Sequence, residues 1–154
     1  MKKKFAVVAI VLMSIGLVGC ASWIQQFKNN PVQMSEEIIS AIETVVQIAT
    51  GLFGQIEPQL PVAQQEPAKI KFGQAVVVVE NLKATLQQLV NTAIATNTTP
   101  PDLTGVIAQA DTALQDIQTL VASFQTVLGE KSTVDPLASA ITNFESVKKN
   151  YQKP

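Results

Sequence analysis

Few side chains in this sequence are equipped for catalysis. Its 154 residues contain no His and no Arg. Without His the usual general base and the commonest metal ligand are missing. Without Arg the planar bidentate clamp for phosphate and carboxylate is missing. Ser and Thr are plentiful, but a hydroxyl nucleophile needs a base beside it. Only Lys remains for that role, and Ser146, next to Lys148 and Lys149, has no motif around it. Asp111 and Asp116 stand about 140° apart around a helix and do not converge. Glu36 and Glu43, seven apart, share a helix face away from the apolar stripe, which suits solvation. Glu36 and Glu37 also suit a helix N-terminus. A di-iron site of the bundle type needs Glu-x-x-His and cannot be built here. No EF-hand run is present, and Gly51-Leu52-Phe53-Gly54 lacks the Lys and Ser or Thr of a phosphate loop. The chain therefore reads as a non-enzyme with no metal and no cofactor.

The single cysteine, Cys20, has a distinct setting. Lys2-Lys3-Lys4 form a charged start, and residues 5–18 are apolar apart from Ser14 and Gly16. That apolar run, about 14 residues, is shorter than the roughly 20 a spanning helix needs. It ends in Leu17-Val18-Gly19-Cys20-Ala21. The whole segment resembles the signal peptide and lipobox of bacterial lipoproteins, and the resemblance covers the first 21 residues. By that resemblance Cys20 receives a diacylglyceryl thioether, the chain is cut before it, and its new amino group is open to acylation. Two acyl chains suffice for stable anchoring. Residues 1–19 are then a cleaved signal peptide, 20–30 a lipidated tether and 31–154 the folded domain. In Gram-negative lipoproteins an Asp after the Cys favours inner-membrane retention. Ala21 in that place implies the periplasmic face of the outer membrane for such a host. Lipidation takes the only thiol out of nucleophilic chemistry, and a lone Cys forms no internal disulfide.

The elements behind this anchor form one domain by length. The chain is 47% hydrophobic, 15% charged and 5% aromatic, which excludes a disordered chain. From residue 20 onward 8 Lys face 12 acidic residues, an unfavourable balance for nucleic acid. Residues 21–30 read as a tether. Trp23, Ile24 and Phe27 within it suit either the lipid headgroup level or the end of the domain.

Four segments of helical periodicity follow. Asn30 and Pro31 open the first, with Ser35 as an alternative cap. Its stripe is Ile38, Ile42, Val45, Ala49, Leu52 and Ile56. Pro67 marks the start of the second, whose stripe is Phe72, Ala75, Val79, Leu82, Leu86, Leu89 and Ala93. The Val76-Val77-Val78 run favours a strand on propensity, but the periodicity around it outweighs that. Pro100, Pro101 and Asp102 precede the third. Its main stripe is Leu103, Val106, Ala110, Ala113, Ile117, Leu120, Phe124 and Val127. Ile107, Leu114, Val121 and Leu128 broaden it, and Gly129 ends it. Asp135 and Pro136 open the fourth, with Leu137, Ala140, Phe144, Val147 and Tyr151. The connections are 57–66, 97–101 and 129–135. The fold expected is all-α, an antiparallel up-down-up-down four-helix bundle with coiled-coil-like packing.

Gln is the remaining feature, with 16 from residue 20 onward. Gln47, Gln74, Gln87, Gln88, Gln109, Gln115, Gln118 and Gln125 fall on polar faces, as a solvated low-charge surface or a partner-binding one. The function class this supports is an envelope lipoprotein that presents a helical surface to an envelope protein. A phage- or prophage-type exclusion lipoprotein is one form of it, and a bundle carrying a small apolar ligand is the competing class. Ala at core positions argues against a roomy cavity. The C-terminal Lys148, Lys149 and Lys153, with Lys28, are expected near the tether, facing headgroups or complementing the helix dipole.

Overall fold

The computed structural model of the chain describes residues 30–129 and 135–152. Four helices account for most of them: α1 (Pro31–Ile56), α2 (Val62–Ala95), α3 (Thr104–Val127) and α4 (Asp135–Gln152). At 1.5 Å per residue these are about 39, 51, 36 and 27 Å long. Residues 1–29, which hold the expected signal peptide and all but the last residue of the expected 20–30 tether, lie outside the described residues, and so does Lys153.

α1 starts where the sequence signals place it. The Asn30 side chain accepts from the Gln33 N–H at 3.3 Å, and Pro31 occupies the first turn, where its missing N–H costs nothing. Ser35 is not the cap. It lies buried one turn in and donates to the Pro31 carbonyl at 2.7 Å.

The first connection is tighter than expected. A 3-10 turn, Glu57–Gln59, carries the chain directly to Pro61, and α2 begins at Val62. The Gln64 N–H donates to the Pro61 carbonyl at 2.7 Å, and the Gln65 amide to the Leu60 carbonyl at 3.0 Å. Pro61, not Pro67, marks the entry. Pro67 lies inside α2, in its second turn, on the exposed side. It is tolerated there because the carbonyl it fails to engage belongs to exposed Ala63, where water can serve. Pro67→Ala should therefore stabilise the fold by about 2 kcal/mol, the difference in helix preference less the added freedom of the unfolded chain. The check is a urea midpoint that rises at unchanged slope.

α2 ends in a Schellman motif. The Thr98 N–H reaches the Ala93 carbonyl at 2.9 Å and the Asn97 N–H reaches that of Ile94 at 3.1 Å. Asn97 takes the left-handed conformation this requires, with φ 51°. At the start of α3 the Asp102 carboxylate accepts from both the N–H and the hydroxyl of Thr104. Gly129, at φ 69°, ends α3 as expected.

The helices pack with mutual contacts consistent with a four-helix bundle. α1 touches all three others, most extensively α4; α2 packs on α3, and α3 on α4. Glu57–Lys69, Phe53–Phe72 and Glu43–Lys83 pair in reverse order along α1 and α2, so these two run antiparallel. Phe53 stacks on Phe72 with ring centroids 4.2 Å apart and tilts against Phe124 at 5.6 Å, joining three helices. Pro31–Gln59 is long and apolar enough to cross a membrane by length and composition. Its apolar face, from Ile38 to Ile56, is buried in the common core, as a bundle helix requires.

Two side-chain stripes differ from expectation. In α3 the fully buried line is Leu103, Ile107, Ala110, Leu114, Ile117 and Val121, while Val106, Leu120 and Phe124 are only partly buried and Val127 is exposed. The flanking Ile107, Leu114 and Val121 thus share the centre with Leu103, Ala110 and Ile117 of the main stripe. Continued by four residues, that line reaches Gln125, which is buried instead of lying on a polar face. In α2 the Val run is helical throughout, with Val79 in the core and Val77 and Val78 exposed.

Candidate functional site

One polar arrangement joins α3 to α4. Lys148 Nζ donates to Asp111 Oδ2, and both side chains keep less than a fifth of their area exposed. The second oxygen, Asp111 Oδ1, is buried without a hydrogen-bond partner. One turn further along α4, the Tyr151 hydroxyl accepts the Leu103 N–H at 3.3 Å. That N–H precedes the first turn of α3, where no helical carbonyl is available to it. The pair and the tyrosine together lock the end of α4 onto the start of α3, so these helices also run antiparallel. Lys148 is therefore not a free headgroup-facing cation, and Asp111 is not merely solvated. Lys149 is exposed.

A second polar strip follows the α1–α2 contact. Lys83 bonds Glu80 at 2.7 Å along its own helix and reaches Glu43 of α1 at 3.7 Å. The Glu80 hydrogen bond is the main cause holding its ammonium above the usual Lys range, against the desolvation that lowers it. Lys69 lies 3.3 Å from Glu57 and 3.4 Å from Glu66, and the Glu57 hydrogen bond is the first cause of its raised pKa. The Thr104 hydroxyl, then its N–H, holds the Asp102 carboxyl below its usual range. Beside this strip a cleft of about 240 Å³ is lined by Glu36, Ile39, Ser40, Glu43, Gln87, Val90 and Asn91. Glu36 and Glu43 thus share a face, as their spacing implies, and Glu43 is spent on Lys83.

Neither strip assembles a nucleophile, a base and a place for a reacting atom. Ser146 is exposed, as is Asp116. Among the described residues no three Cys, Asp or Glu side chains come together to hold a metal ion. Gly51-Leu52-Phe53-Gly54 is a helical stretch whose Phe53 serves the core. Gln47, Gln74, Gln87, Gln88, Gln109 and Gln115 are exposed and Gln118 is half-buried. Cys20, the residue expected to be lipidated, and Trp23, Ile24, Phe27 and Lys28 lie outside the described residues. No protein-family model, no curated protein and no solved structure matches the chain.

Proposed function

We propose that the chain is a non-enzymatic, membrane-anchored lipoprotein of the cell envelope. Its acylated Cys20 holds a helical domain at the membrane, and that domain presents its surface to an envelope protein. The observation that carries this reading is the run Leu17-Val18-Gly19-Cys20 behind Lys2-Lys3-Lys4 and an apolar stretch. The domain begins at Pro31, a short tether away, and its four helices form an up-down-up-down bundle. The reverse-order pairing of α1 with α2 and of α3 with α4 supports that topology. In that topology the start of α1 and the end of α4 share one end, and this reading puts that end next to the lipid. For a Gram-negative host, Ala21 favours the outer membrane, with the domain in the periplasm. Buried Ala49, Ala110, Ala113 and Ala140 favour close helix packing over a ligand cavity.

The test is metabolic labelling with palmitate. The unaltered chain should carry label and sediment with membranes. Cys20→Ser should carry none. Equal labelling of the two would end the lipoprotein reading.

A further inference from the structure

The hairpin tip between α1 and α2 is held differently from the rest of the domain. It spans residues 54–71, between the stacked Phe53 and Phe72, which tie its base to α3 through Phe124. Of its 18 residues only Ile56, Leu60 and Ala68 are buried, whereas the 18 before it, 36–53, bury seven. Two of its large apolar side chains face water instead of the core, Val62 at 84% and Ile70 at 58% exposure. Each of its arms also carries a residue that weakens a helix: Gly54 in the last turn of α1 and Pro67 in the second turn of α2. Packing does not call for the glycine, since a Cβ there would meet nothing within 4 Å. Relative to Ala it weakens the helix by a factor of about two to five.

We propose that residues 54–71 open as one unit while the body of the bundle stays folded, and that the open tip uncovers a latent apolar face of Ile56, Leu60 and Ala68. Opening a segment costs free energy in proportion to the apolar surface it gives up. Three buried side chains, one of them an alanine, make this opening far less costly than unfolding the whole core, and Gly54 and Pro67 lower the cost further. Contacts inside the tip make its two arms move together. Lys69 reaches Glu57 across the hairpin at 3.3 Å, and the Gln65 amide donates to the Leu60 carbonyl at 3.0 Å. The Gln59 amide donates back to the Gln55 carbonyl of α1 at 2.9 Å. Lids and binding segments are drawn from this low-stability end of a structure. The device belongs to the folded domain and stands apart from the lipid anchor.

Native-state hydrogen exchange of the purified full chain, followed residue by residue by NMR, tests this. Corrected for intrinsic rates, the amides of 55–57 in α1 and 68–71 in α2 should exchange about 100-fold faster than those of 107–121 in α3. Pro67→Ala should slow both arms by about 30-fold, including 55–57 on the helix it does not belong to. Gly54→Ala should slow both by about threefold. Ile117→Val thins the core two turns below Phe124, at a fully buried position. It should speed exchange in 107–121 by about fivefold and leave the tip unchanged, because the tip opens without unfolding α3. Equal protection of the tip and of 107–121 would overturn the proposal, as would a tip that speeds up with Ile117→Val. Slowing of 68–71 alone by Pro67→Ala would also overturn it, because α2 would then fray by itself and the two arms would not form one unit.

Discussion

Leu114→Asp should leave the domain without a stable fold. Leu114 is fully buried at mid-length in α3, on the line formed by Ile107, Ala110, Ile117 and Val121. Removing a buried Leu side chain costs about 2–5 kcal/mol by itself. The carboxylate that replaces it has no cationic partner on that line, and burying an unpaired charge costs several kcal/mol more. Together these rival the roughly 5–15 kcal/mol that holds a typical domain folded. Gln115→Asp makes a matched control. It adds the same charge one residue along, at an exposed position, and should change stability by less than about 0.5 kcal/mol. Circular dichroism and urea unfolding of the two variants separate the outcomes. Similar stability for both would mean that α3 does not bury the face assigned to it.

That experiment bears on what the sequence made legible. Existence and type of all four helices follow from the apolar spacing, and start signals in the sequence locate three of the starts: Asn30-Pro31, Pro100-Pro101-Asp102 and Asp135-Pro136. The rotation of α3 does not follow. From Leu103 two stripes leave with the same rhythm, one through Val106 and Ala113, the other through Ile107 and Leu114. The first keeps a strict seven-residue repeat and drifts about 20° per heptad around a straight helix. By Val127 it has turned out to solvent. The second gains an extra residue between Val121 and Gln125 and stays facing inward, which is why a Gln ends up in the core. Pro67 misled for a different reason. A Pro favours the first turn of a helix, but Pro61 had already set that boundary.

An up-down bundle makes α3 and α4 neighbours, but the ion pair between them was not legible. Asp111 and Lys148 are 37 residues apart, and no rule of local spacing joins them. What the structure adds is a charge pair partly shielded from water at the edge of the core, with a sharp expected consequence. Lys148→Met removes the partner and leaves the Asp111 carboxylate enclosed, its Oδ1 without a hydrogen bond and its Oδ2 newly stripped of one. Breaking a fully buried pair in this way costs about 3–5 kcal/mol. Both side chains here keep some exposure, 18% for Lys148 and 16% for Asp111. The expected loss is therefore smaller, about 2–3 kcal/mol, because water reaches the site and screens it. Asp111→Leu alone should cost less, since the longer Lys148 side chain can swing its ammonium out to solvent while its stem stays packed. The double variant, Asp111→Leu with Lys148→Met, should recover to within about 1 kcal/mol of the unaltered chain, because an apolar contact replaces the pair and no charge remains enclosed. Urea unfolding of the four proteins closes the cycle. If the double variant lost the sum of the two single losses, the groups would act independently. The pair would then be a surface contact with no part in holding α4 onto α3.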